Sequence, residues 1–172
     1  MKQQTMQNQS LFQSFKCAGE GIVVLLKSER NFRIDIFFAL LAIFVSFLLR
    51  LDTIQFAVIL ICCAVVLGLE ALNSALEATV DVACSEINPV AKKAKDMAAG
   101  AVLIVACFAV SIGLLIFVKQ ALELTKTPFV IFHSQMPALA LCIAVLFVYI
   151  AWISVHPRVK LEDAKNECDS CL

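Results

Sequence analysis

Three stretches of this chain, residues 36–49, 53–69 and 97–118, run for 14, 17 and 22 residues without a charged side chain. At 1.5 Å of rise per residue the longer two reach about 26 and 33 Å as helices, against a hydrocarbon core of about 30 Å. A fourth apolar segment follows at 136–155. Runs of this kind confine the chain to a bilayer, where a helix is the form that satisfies each backbone donor and acceptor within one segment. Composition agrees, with 61% hydrophobic and 16% charged residues, against roughly 25% charged in soluble domains. Lys plus Arg and Asp plus Glu number 14 each, so no net field recruits nucleic acid over distance and no nucleic-acid partner is expected.

The expected fold is all-α and integral to the membrane. Residues 10–28 place Phe12, Phe15, Gly19, Ile22, Val23 and Leu26 on one face and Gln13, Lys16, Glu20 and Lys27 on another, the pattern of an amphipathic helix lying on the membrane surface. Spans are expected at about 34–50, 53–72 and 97–118, with a loop over 82–95. A fourth span is expected at about 136–155, before a C-terminal tail. Residues 1–118 thus form one membrane domain, and 119–172 an added span and tail. The first span is short, so Arg50 must snorkel or the helix must draw on Ile34 and Asp35.

Lys and Arg set the orientation. With the N-terminus inside, eleven of them fall on the cytoplasmic side, and only Arg50, Lys119 and Lys126 fall outside. The expected location is a bacterial inner membrane, crossed several times, with the N-terminus and the acidic end of the second span in the cytoplasm. The polar first ten residues lack the apolar core of a signal peptide, and no cleavage is expected. The eight cysteines are scattered, and most read as small apolar packing residues. Cys168 and Cys171 form a single C-x-x-C in the tail, read as reduced rather than as a metal site. His133 and His156 each stand alone and receive no role.

Glu70, Asn73, Glu77 and Asp81 are spaced i, i+3, i+7 and i+11, which at about 100° per residue puts them in one stripe of one helix. Ser74 lies at its edge. Lys95 and Asp96 precede the third span, and Glu29, Arg30 and Arg33 stand at the first, so three charged clusters converge on one membrane face. A solvated helix end carries charges too, and that reading suits Glu20 and suits Asp81, Glu86, Lys92 and Lys93 taken singly. It suits Glu70 and Asn73 less, because an ionisable group at the membrane boundary asks for a polar partner or a water-filled site.

Carboxylates one above another with no His or Cys among them suit a hard, oxygen-binding cation such as Mg²⁺ rather than zinc. Neighbouring Lys or Arg can hold phosphate. No Walker A or protein-kinase motif occurs, so any nucleotide site must be built from helix-end side chains. Phosphoryl transfer asks for positioning, neutralised phosphates and a base for the attacking hydroxyl. A boundary Glu suits that base, because a lipid headgroup hydroxyl sits at the same depth.

Segments 28–34 (SERNFRI), 69–81 (LEALNSALEATVD) and 94–104 (AKDMAAGAVLI), in this order and separation, resemble the prokaryotic diacylglycerol kinase and undecaprenol kinase family over about residues 10–118. The resemblance implies a homotrimer of three-span subunits, each with an N-terminal surface helix, whose active sites are shared between adjacent subunits at the cytoplasmic boundary. It implies Glu70 as catalytic base and Glu29 and Glu77 as metal ligands. It also implies that Glu29, Asn73, Glu77, Asp81, Glu86, Lys95 and Asp96 hold or support the nucleotide. The chain departs from the family at Asp35, where undecaprenol-type members usually carry His, and in residues 119–172, which the minimal family member lacks.

The resulting expectation is an enzyme that uses ATP and Mg²⁺ to phosphorylate a membrane lipid alcohol. The wording of 29–34 and 87–104 leans it toward undecaprenol, with diacylglycerol as the alternative. A rival of another class is a non-enzymatic oligomer or cation pathway using the same carboxylate stripe. The lack of charges in the outer half of any span argues against that path.

Overall fold

The computed structural model describes residues 11–84 and 88–124, together with Ala144, Val145, Phe147, Val148 and Ala151. The described residues form four helices and no strand: α1 Leu11–Ser28, α2 Arg30–Leu48, α3 Thr53–Ala83 and α4 Pro89–Leu124. They divide into two compact units, one holding α1 and Glu29 and the other holding α2 to α4. The chain is an all-α membrane protein, with α2, α3 and α4 each long and apolar enough to cross a bilayer. The expected fourth span lies outside the described residues except for those five positions, which have helical backbone. Cys142, Cys168, Cys171, His133 and His156 lie outside them as well.

In the first unit, α1 buries no residue. Leu11, Phe12, Phe15, Ile22 and Val23 stand exposed, while Lys16 pairs with Glu20 one turn on at 3.7 Å. That division of faces matches the amphipathic expectation. Lys27 in the last turn lies at the negative end of the helix dipole. Cys17 is disulfide-bonded, which the reading of the cysteines as packing residues did not foresee. Cys62, Cys63, Cys84 and Cys107 carry free thiols.

In the second unit, the first span begins at Arg30, before the 34 expected, because nothing between Arg30 and Asp35 breaks a helix. Its end is set by local geometry. Leu51 N donates to Ser46 O at 3.1 Å and Arg50 N to Phe47 O at 3.3 Å, with Arg50 at φ 56°. This is a Schellman cap, whose left-handed position glycine usually fills. Two residues after Arg50, Asp52 caps α3 by accepting from Ile54 N and Gln55 N, both at 2.9 Å, while Gln55 Oε1 accepts from Asp52 N at 3.2 Å. Phe47 and Phe56 meet across this turn with ring centroids 5.4 Å apart.

The loop expected over 82–95 is a misjudgement. α3 continues to Ala83 and α4 already starts at Pro89. Pro89 suits a first helical position, where no amide hydrogen is required. Asn88 caps the new helix, its side-chain oxygen accepting from Val90 N at 2.8 Å and its carbonyl from Lys92 N at 3.0 Å. With 31 and 36 residues, α3 and α4 extend about 46 and 54 Å. Each therefore exceeds one hydrocarbon thickness, and their joined ends form a helical projection rather than a long loop.

α3 packs against both α2 and α4, whereas α2 and α4 touch only sparingly. Phe32 and Ile59 are the only buried apolar side chains among the described residues. Ile61, Leu103, Phe108 and Leu115 remain outward, an apolar exterior that suits lipid or another membrane subunit. Ser46 is buried, and its hydroxyl donates to Ala42 O at 2.7 Å.

Candidate functional site

The α3 stripe changes character along its length. Glu70 is 5% exposed, Asn73 8% and Ser74 9%, while Glu77 is half-buried and Asp81 open. The helix therefore carries its polar groups from a sheltered level out to an accessible one. Ser74 Oγ donates to the backbone carbonyl of Glu70 at 3.1 Å, which satisfies the hydroxyl within the helix and leaves the Glu70 carboxyl group to other partners. Buried polar groups cost free energy unless they are partnered, so a sheltered Glu–Asn–Ser patch on a membrane helix calls for a reason beyond packing.

Asn73 supplies one. Its Nδ2 donates to Glu77 Oε1 at 3.1 Å, an i,i+4 contact made by helix geometry. Its Oδ1 is buried and accepts no hydrogen bond. Such an orphan acceptor costs about 1–3 kcal/mol. The amide holds one Glu77 oxygen. These groups are hard oxygen donors, the kind that suits Mg²⁺. Among the described residues no cluster of three or more His, Cys, Asp or Glu stands ready to hold a metal, so Glu77 does not form a cage of its own with other carboxylates.

Farther out, Lys95 Nζ of α4 donates to Asp81 Oδ1 of α3 in an ion pair across the inter-helix turn. Asp96 is exposed beside it. Glu29 is half-buried at the end of the first unit, apart from the unit that contains Glu77. Glu86 lies outside the described residues. The structure thus brings Asn73 to Glu77 and Lys95 to Asp81.

One feature had no functional role in the sequence beyond extending the first span and departing from the family. Asp35 lies at one end of an apolar groove of about 500 Å³ formed by α2, α3 and α4. Phe38, Ala42 and Val45 line it from α2, and Gly113 and Phe117 from α4. On α3 its lining includes Val66 and Leu67, one turn before Glu70. Groove and buried carboxyl group thus meet at one level of α3. The signal available in the sequence was a single acidic residue leading the uncharged run 36–49.

A family model described as prokaryotic diacylglycerol kinase matches residues 16–117. Undecaprenol kinase of Bacillus subtilis is 41% identical over 109 residues, which are 63% of this chain and 89% of that protein. Diacylglycerol kinase of Synechocystis sp. is 41% identical over 105 residues, 60% of each chain. Diacylglycerol kinase of Helicobacter pylori strain J99 is 33% identical over 94 residues, 55% of this chain and 73% of that one. No solved structure matches this chain.

Proposed function

The chain belongs to the prokaryotic diacylglycerol kinase family and is a lipid kinase, and on that premise we propose that it transfers the γ-phosphate of ATP to undecaprenol in preference to diacylglycerol. The observation that carries the site is the buried Glu70–Asn73 patch, which begins one turn along α3 from the groove-lining Val66 and Leu67. A lipid alcohol needs both surfaces, an apolar bed for its hydrocarbon and a sheltered base at headgroup depth. The lean toward undecaprenol rests on the wording of 29–34 and 87–104 and on coverage, since at 41% identity in both cases the match spans 89% of the Bacillus undecaprenol kinase and 60% of the Synechocystis diacylglycerol kinase.

In this mechanism a Glu70 carboxylate oxygen takes the proton of the lipid hydroxyl as the hydroxyl oxygen attacks the γ-phosphorus. The bond from γ-phosphorus to the β,γ-bridging oxygen breaks, and ADP leaves. Burial of Glu70 keeps water from competing for the phosphoryl group. Asn73 fixes the Glu77 carboxylate through the 3.1 Å contact, and Lys95 meets the phosphates. Glu77 and Glu29 would hold Mg²⁺, which would supply charge neutralisation at the phosphates. Asp81, Glu86 and Asp96 complete the nucleotide side.

The joined ends of α3 and α4 face the cytoplasm, where ATP is available, in a bacterial inner membrane crossed several times. The active assembly is a homotrimer with sites shared between adjacent subunits. Two features favour it: the meagre core of one subunit, and a carboxylate set that lacks a third ligand among the described residues.

The test is Mg²⁺-dependent ATP consumption by purified protein in bilayers containing undecaprenol, diacylglycerol or neither. Turnover with phosphorylated undecaprenol is expected, with less from diacylglycerol. Preference for diacylglycerol overturns the substrate assignment, and no turnover with either lipid by folded protein overturns both.

A further inference from the structure

The Asp81–Lys95 pair joins two residues that the resemblance assigns equally to the nucleotide, yet their surroundings differ. The Lys95 side chain is 29% exposed and that of Asp81 67%. The sheltered partner is the cation, and its ammonium is held from across the turn by a carboxylate in the last turn of α3. An ammonium has three donors. One serves Asp81, and two remain for phosphate oxygens. A carboxylate placed directly against a polyphosphate would meet like charge, whereas one behind the ammonium adds to its orientation.

We infer that Asp81 is a positioning residue that acts through Lys95: it presets the ammonium for the nucleotide's phosphates and does not itself touch the nucleotide. This rests on the kinase reading and narrows the role of one residue within it. The pair also ties the end of α3 to the start of α4 across residues 84–88, so the Lys95 cation is fixed relative to Glu77, two turns from Glu70 on the same stripe. Long side chains lose rotamer freedom when they bind. In this arrangement Asp81 has already restricted Lys95 before ATP arrives.

The experiment is a double-mutant cycle on the full chain in bilayers. Binding of a non-hydrolysable ATP analogue with Mg²⁺ is read by calorimetry, and turnover is read separately. Asp81→Ala should weaken analogue binding about two- to fivefold, the range of a partly exposed ion pair, and raise KM for ATP by a larger factor than it lowers kcat. Lys95→Ala should weaken it more, and the double variant should match Lys95→Ala within twofold, because Asp81 has no other route to the nucleotide. Asp81→Glu should restore part of the loss. Raising salt from 0.1 to 0.5 M should shrink the difference between wild type and Asp81→Ala. If the two single losses multiply in the double variant, or if Asp81→Ala lowers kcat with binding intact, Asp81 acts on the nucleotide or the chemistry directly and the inference is overturned. A wild-type protein that binds the analogue normally but phosphorylates no lipid would instead overturn the kinase reading, and the cycle would still decide the role of Asp81.

Discussion

Replacing Asn73 with Leu separates stability from metal binding at the centre of the stripe. The Nδ2 contact to the Glu77 carboxylate, at 3.1 Å, is a hydrogen bond to a charged group. Such bonds contribute about 1.5–3 kcal/mol, and removing this one is the cost of the change. Against it stands the orphan Oδ1, whose burial costs about 1–3 kcal/mol and which Leu eliminates. Leu also gains a few tenths of a kcal/mol in helix propensity over Asn and keeps the same number and branching of side-chain heavy atoms. The terms cancel to within about 1 kcal/mol, so the folded protein should melt within a few degrees of wild type. Metal binding should not be spared, because Glu77 loses the group that orients it. Loss of a residue that orients a ligand costs about 10–100-fold in metal affinity or activity. Mn²⁺ titration followed by electron paramagnetic resonance, together with the Mg²⁺ concentration for half-maximal turnover, measures this in bilayers. A variant that melts normally and keeps wild-type dependence on both metals refutes the argument, since Glu77 would then need no holder.

Glu70→Gln keeps the shape of a 5% exposed side chain and removes its basicity. Turnover should fall about 10²–10⁴-fold while oligomeric state and nucleotide binding are retained, and activity within tenfold of wild type would remove Glu70 from the role of base. Asp52→Ala opens the capping box of α3 and should cost about 1 kcal/mol, read in thermal unfolding with the lipid preference unchanged. Arg50→Gly relieves a left-handed residue at φ 56° and should raise stability by about 1 kcal/mol or less. A loss there would show that the Arg50 side chain contributes more than the backbone strain costs.

Fold class was legible in the uncharged runs, because only a membrane tolerates such stretches and only helices carry them through it. The α3 stripe was legible too, since helical spacing alone puts Glu70, Asn73, Glu77 and Asp81 on one face. The connection from α3 to α4 was misread. Charge and loop-forming residues over 82–95 resemble a loop in the sequence, but Asn88 and Pro89 open a helix at once, and a cap is a matter of backbone geometry. The sequence also treated Asp35 as a departure without a place, and Asp81 and Lys95 as equals. Tertiary packing decided both: α2, α3 and α4 enclose the groove that Asp35 ends, and the short turn brings Lys95 to Asp81 from 14 residues away. Periodicity is a property of one helix and can be read from one segment. Which face meets a neighbour, and which polar atom is left without a donor, depends on how the helices dock, and no single segment contains that information.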